Sequence, residues 1–151
     1  MNVRKLLIAW SEEYSVAMPE IDAQHQVLFD LLNRLWAAII KRAGRDEMMA
    51  IVAELERYTV AHFAAEEAFM AATGYQDLEE HKLAHRIFVD KLAAEKKIVL
   101  AGGNLSLDLL KFLKDWLADH ILVSDKAYSL ALRLGAKPQT ELGRYFKKLV
   151  G

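Results

Sequence analysis

The sequence has no cysteine and only two prolines among its 151 residues. The lack of cysteine excludes disulfide bonds, thiolate zinc sites and iron–sulfur clusters. No apolar run reaches the roughly 20 residues that a membrane-spanning helix needs. The first residues also lack the apolar segment and cleavage site of a signal peptide. We therefore expect a cytoplasmic protein with no membrane insertion.

Neither sign of charge is in excess. The chain has 20 basic and 21 acidic residues in mixed order, which give a formal net charge of −1. A protein that binds nucleic acid needs a basic patch or stripe, and none is visible, so we expect no nucleic-acid partner. The chain length suits one domain with a substantial core.

Segments rich in Leu, Ala, Glu, Lys and Met, which are strong helix formers, lie between glycines at Gly44, Gly74 and Gly102–Gly103. Apolar residues recur at helical spacing in four of these segments. Four helices with short connections favour an antiparallel up-down-up-down four-helix bundle. We predict an all-α, single-domain protein over residues 1–151. It should have an N-terminal arm over about 1–18, the bundle over about 19–134 and a short C-terminal helix over about 138–150.

All five histidines and two carboxylates follow one spacing scheme across these helices. His62 precedes Glu66 by four residues, as His81 precedes His85, and residues four apart share a helix face. Counted from each connection at about 1.5 Å per residue, all seven side chains reach similar heights in an antiparallel bundle. The candidate metal ligands are therefore His25, His62, Glu66, His81, His85, His120 and Asp125.

The last two candidates, His120 and Asp125, are five residues apart. On a regular helix they would point about 140° away from each other. We therefore predict a local distortion of π type between Leu122 and Asp125. A straight helix there would count against Asp125 as a ligand.

Five imidazoles and two carboxylates are too many ligands for one zinc ion, which normally takes four. They suit two ions that accept nitrogen and oxygen ligands at five or six coordination, with iron foremost. Suppose that both carboxylates and one solvent-derived oxygen bridge the ions. Three histidines then complete one ion, while two histidines leave a vacancy on the other, where a small molecule such as O2 would bind.

Taken singly, these residues have simpler explanations. His25 alone is typical of a surface or hydrogen-bonded histidine. His81 and His85 lie in a charged helix that could be a solvated face, and Glu66 suits ordinary surface charge. Asp125 could cap a helix. The common register and the order of the motifs favour the joint interpretation.

Four motifs, together with Trp10 and Tyr14 before them, are spread over most of the length of the chain. They are PEIDAQH at Pro19–His25, HFAAEEAFM at His62–Met70, GYQDLEEHKLAH at Gly74–His85 and WLADHILVSDKAY at Trp116–Tyr128. The succession of QH, HFxxEE, HxxxH and HxxxxD is highly specific. In this pattern the chain resembles the hemerythrins, in their single-domain bacterial form.

The resemblance implies a non-haem protein with two iron ions and a bridging oxo or hydroxo group. It assigns His81, His85 and His120 to one iron, His25 and His62 to the other, and Glu66 and Asp125 to the bridges. In the family, O2 binds reversibly at the five-coordinate iron and is held as a hydroperoxide. Our candidates for the apolar wall of the O2 pocket are Phe63, Trp116, Leu117 and Ile121.

We therefore expect an oxygen transport, storage or delivery protein and not an enzyme. Its partners would be O2 and an oxygen-consuming enzyme or a reductase. One alternative is a di-iron oxidoreductase, such as an oxidase, a peroxidase or a nitric-oxide-reducing protein, which would need a proton donor near the vacancy. The other is an O2 or redox sensor that acts through a partner, because no output domain is recognisable in the sequence.

Overall fold

The computed structural model describes residues 6–134, and the regular elements in this range are all helical. A 3₁₀ turn at Glu12–Tyr14 precedes the bundle. The bundle helices are α1 (Pro19–Ile40), α2 (Arg45–Ala72), α3 (Leu78–Leu100), α4 (Leu107–Asp119) and α5 (Lys126–Leu134), with a π-helical segment at His120–Asp125 between the last two. The all-α prediction is confirmed.

The helices form a closed four-membered bundle. Helix α1 packs against α2 and α4, and α3 packs against the same two helices. Helix α4, the π segment and α5 follow one another without a break, because His120 and Lys126 keep right-handed helical dihedral angles. These three pieces together are the fourth rod of the bundle, so the predicted up-down-up-down arrangement is confirmed.

The predicted glycines mark the connections, although not always the helix end itself. Helix α1 ends at Ile40, and Gly44 is the residue before α2. Gly74 and Gly102 have φ angles of +71° and +102°, which a side chain would disfavour. Ser106 caps α4, because its hydroxyl accepts a hydrogen bond from Leu109 N at 3.1 Å. Each connection therefore has its own local stop or start signal.

The N-terminal arm is attached to the bundle through Asn33 on α1. The Oδ1 atom of Asn33 accepts hydrogen bonds from the backbone N–H groups of Leu7 and Ile8 at 2.9 and 3.1 Å. Its Nδ2 donates to the Ile8 carbonyl at 2.8 Å. Trp10 and Tyr14 pack edge-on against Phe29 of α1. The Asn33 side chain thus provides hydrogen-bond partners for three backbone groups of the arm.

The apolar core occupies the bundle axis, with buried leucines from every long helix. None of the helices in residues 6–134 combines the length and apolarity that a membrane span requires. The short C-terminal helix predicted over about 138–150 lies outside the described residues. The single-domain organisation of residues 1–151 stays a prediction.

Candidate metal centre

The five histidines and two carboxylates predicted as ligands meet inside the bundle. Their exposed fractions lie between 1% and 6%, although all seven side chains are polar or charged. Their ligand atoms fall into two groups in which all atoms lie within 4.8 Å of one another. One group contains Glu66, His81, His85, His120 and Asp125, and the other contains His25, His62 and Glu66. The two groups share Glu66, so they form one continuous cluster.

Helix geometry delivers these side chains from four directions. Helix α1 contributes one histidine, α2 a histidine and a carboxylate, and α3 two histidines. The π segment brings together His120 and Asp125, because residues five apart share a face when the turn is widened. Nε2 of His120 lies 3.3 Å from Oδ1 of Asp125. The predicted distortion is confirmed, and it begins two residues earlier than expected.

Glu66 divides its two oxygens between the two halves of the cluster. Its Oε1 lies 2.8 Å from Nε2 of His81 and 3.1 Å from Nε2 of His85. Its Oε2 lies 3.7 Å from Nε2 of His62. One carboxylate therefore faces two separate sets of imidazoles, which is the arrangement that a bridging ligand requires.

Asp125 is divided in the same way. Its Oδ1 lies 3.1 Å from Nε2 of His81 and 3.3 Å from Nε2 of His120, while its Oδ2 lies 3.2 Å from Nε2 of His25. The two carboxylates thus separate a half with three histidines from a half with two. The histidines therefore fall into the same groups of three and two that the resemblance implied, and their coordination of metal stays a prediction.

The polar atoms of the cluster are not fully satisfied by one another. Nδ1 of His25 is buried and has no hydrogen-bond partner among the described residues. Nε2 of His85 and Nε2 of His120 face each other at 3.1 Å. Buried polar groups are normally paired, and buried charges are paired or coordinate metals. This donor set therefore fits metal cations between the imidazoles and the carboxylates.

Burial and mutual contact shift the ionisation of these groups. Burial lowers the pKa of His62 to about 3, so its imidazole is neutral. Burial also disfavours a charge on His81, but the adjacent Asp125 and Glu66 outweigh it and raise the pKa of His81 to about 10. Burial and the Asp125 charge raise the pKa of Glu66, yet contacts with His81 and His85 lower it to about 2. In the metal-free protein a proton on His81 therefore provides positive charge that a cation would otherwise supply.

Two further side chains contact candidate ligand histidines from outside the cluster, and the sequence did not reveal them. Nδ1 of His62 lies 2.5 Å from Oε1 of Gln24 on α1. Nδ1 of His85 lies 2.8 Å from Oε2 of Glu67 on α2. The available signal was position, because each is the immediate neighbour of a candidate ligand in the chain.

The four residues predicted as an apolar wall lie against the cluster or beside it in the chain. The Phe63 ring stacks on His85 with centroids 3.8 Å apart and planes at 4°. Trp116 stacks on His120 at 4.5 Å and 12°. Leu117 and Ile121 are 1% and 0% exposed and flank His120. Aromatic rings therefore lie against two of the imidazoles in the three-histidine half.

His81→Ala should lower the metal content of the purified protein and its metal-dependent stability together, because His81 contacts both carboxylates. Metal analysis and thermal unfolding of the same sample provide the measurement. Leu83→Ala is the matched control, since Leu83 lies on the same helix and is 61% exposed. An unchanged metal stoichiometry in His81→Ala would remove His81 from the ligand set.

The metal-free protein should be most stable near pH 6.5. Between the folded and unfolded pKa values of His62 (about 3 and 6.5) and Glu66 (about 2 and 4.5), the unfolded chain binds more protons, so stability falls as the pH drops. For His81 (about 10 and 6.5) the folded chain binds more protons, so stability falls as the pH rises.

Urea midpoints of the metal-free chain across the pH range measure this profile. In His81→Ala the decline on the alkaline side should become smaller, because contacts with Glu66 and Glu67 also raise the pKa of His85, while the decline on the acid side remains. Midpoints that stay constant from acid to alkaline pH would contradict the assigned ionisation states.

Comparison with known proteins identifies the family. The model of the hemerythrin HHE cation binding domain matches residues 16–130, which include all seven clustered residues. A bacteriohemerythrin of Stenotrophomonas maltophilia is 33% identical over 125 residues, which is 82% of this chain and 80% of that protein. The myohemerythrin of Riftia pachyptila is 34% identical over 119 residues, which is 79% of this chain and 88% of that protein.

Solved structures agree with this match. A crystal structure of wild-type hemerythrin has a TM-score of 0.76 at 33% identity, covering 83% of this chain and 98% of its own. A hemerythrin variant with leucine replaced by tyrosine has a TM-score of 0.80 at 32% identity, covering 85% and 98%. Together with the buried cluster of histidines and carboxylates, these matches show that the chain belongs to the hemerythrin family.

Proposed function

We propose that this protein is a non-haem di-iron protein that binds O2 reversibly for transport, storage or delivery. The single observation that carries the proposal is the division of both carboxylates, each with one oxygen facing each half of the cluster. Only a pair of ions uses such an arrangement fully. When bound, the two irons supply the electrons for reversible binding of O2.

The proposed ligands follow the observed partition. His81, His85 and His120 would hold one iron, and His25 and His62 the other, with Glu66 and Asp125 between them. With two carboxylate oxygens and one bridging oxygen on each ion, three histidines would complete six coordination and two would complete five. The half with two histidines would therefore keep an open position for O2.

Apolar residues against the cluster exclude water and protons from it, and the Phe63 ring contacts the rings of both His62 and His85, so it reaches both halves. Phe63, Leu117 and Ile121 are buried, and Trp116 covers His120 by stacking. Thr59, which precedes His62 by one helical turn, donates its hydroxyl to the Leu55 carbonyl of its own helix. An apolar wall without a committed proton donor favours reversible binding over an oxidase, peroxidase or nitric-oxide-reducing reaction, each of which consumes protons.

The wider setting follows the expectations from the sequence. We propose O2 as the ligand, the cytoplasm as the location, and an oxygen-consuming enzyme or a reductase as the protein partner. A role as an O2 or redox sensor would require a separate protein to receive the signal.

Iron-loaded protein should contain two iron ions per chain and show absorption bands that change when the reduced sample is exposed to O2. Removal of O2 should restore the original spectrum, because the proposed binding consumes no reactant other than O2. Optical spectra and metal analysis of one sample test this. One ion per chain, or a single irreversible oxidation with release of peroxide, would contradict the carrier role.

Leu117→Ala should accelerate the irreversible loss of the O2-induced absorption bands, because a gap in the wall admits water. Leu113→Ala is the matched control, since Leu113 lies one turn earlier on α4 and is equally buried. Both variants should lose about 2–5 kcal/mol of unfolding free energy through the cavity that they create. Equal oxidation rates in the two variants would remove Leu117 from the pocket wall.

A further inference from the structure

We infer that Glu67 is a positioning residue for His85, and that its charge makes the three-histidine half of the site the stronger electron donor. Gln24 holds His62 in the other half through a neutral amide. The two halves would then differ in ligand strength as well as in ligand number. The inference rests on the proposed function only in taking His62 and His85 as metal ligands.

The contact between Glu67 and His85 fixes which ring nitrogen carries the proton. Oε2 of Glu67 lies 2.8 Å from Nδ1, so Nδ1–H donates to the carboxylate. Nε2 faces the cluster, 3.1 Å from Oε1 of Glu66, and its lone pair would be available to a metal ion bound there. Glu66 and Glu67 are consecutive on α2 and point about 100° apart. One turn of α2 therefore places the Glu66 carboxylate inside the cluster and the Glu67 carboxylate against His85 of α3.

A second contact from α2 holds the plane of the same ring. Phe63, four residues before Glu67 on the same helix face, stacks on His85 at 3.8 Å and 4°. Stacking fixes the plane of the imidazole, and the hydrogen bond fixes its rotation within that plane. The His85 side chain is 3% exposed and that of Glu67 is 24% exposed. The Glu67 carboxylate thus lies at the edge of the site, and its removal opens no cavity in the core.

The half with two histidines has weaker support of this kind. Gln24 is 3% exposed, and its amide oxygen accepts from Nδ1 of His62 at 2.5 Å. Nδ1 of His25 is buried and has no hydrogen-bond partner within residues 6–134. A carboxylate that accepts from a metal-bound histidine raises the basicity of the imidazole, whereas a neutral amide orients the ring with less charge donation. The ion with the open position would therefore be the more electron-poor of the two.

The test uses the metal-free full chain and Zn(II), with affinity measured by competition with a chelator. Glu67→Ala removes the hydrogen bond and the charge, and should weaken Zn(II) binding by about 10- to 100-fold. Glu67→Gln keeps an acceptor without charge and should give an intermediate affinity. Glu54→Gln is the matched control on the same helix, because Glu54 is exposed and pairs with Arg34 at 3.1 Å. It should bind Zn(II) as the unmodified chain does.

Nitrogen-15 NMR of the Zn(II)-loaded proteins supplies a readout that a merely structural role would not move. His85 should carry its proton on Nδ1 in the unmodified chain and in Glu67→Gln. In Glu67→Ala this proton should exchange rapidly with water. Equal Zn(II) affinities in the unmodified chain, Glu67→Ala and Glu67→Gln would overturn the inference. A His85 proton on Nε2 in the unmodified chain would overturn it as well. Weakening in Glu67→Ala alone would overturn the part that concerns charge.

Neither measurement depends on O2 chemistry, so the two proposals fail separately. If the iron-loaded chain does not bind O2 but the order of Zn(II) affinities holds, the proposed function fails and the role of Glu67 stands. If O2 binds reversibly but the Glu67 variants match the unmodified chain, only the role of Glu67 is overturned.

Discussion

The burial of two carboxylates beside five imidazoles is the constraint on which this structure depends. Glu66 and Asp125 have side chains that are at most 4% exposed. Burial of an uncompensated carboxylate costs several kcal/mol. Its charge must therefore be matched by a proton on an imidazole or by a metal ion. Because the matching groups come from every long helix, satisfying this charge also joins the four rods at one level.

The remainder of the bundle is held together by apolar packing. Leu32, Leu55, Leu92 and Leu113, one from each long helix, are fully buried and supply an apolar core away from the histidines. Because this core stabilises the fold, the level of the histidines and carboxylates can have the side chains that the geometry of the site requires. The described part of the arm, attached through Asn33, packs against α1 and places no residue in the cluster. The apolar core and the polar cluster thus occupy different levels along the same helices.

Helical arithmetic explains what the sequence could reveal. Spacing and register predicted the bundle, the seven clustered residues and the π segment, because each follows from rise and rotation along one helix. Gln24 and Glu67 were missed because their partners are 38 and 18 residues away, on other helices. Which neighbour of a ligand turns outward toward another ring depends on how each helix rotates about its own axis. The sequence pattern fixes that rotation only to within a broad apolar face.

The position of the π segment has a geometric reason in the length of the Asp125 side chain. Aspartate is one methylene shorter than glutamate, so its carboxylate reaches less far from the backbone. Glu66, four residues after His62, can extend from its own half toward His81 and His85. Asp125 must instead be carried by the backbone to a point between His120 and His25. One extra residue in the turn provides that displacement while keeping both side chains on the inner face. The unusual helix is therefore a consequence of placing a short carboxylate between two halves of one site.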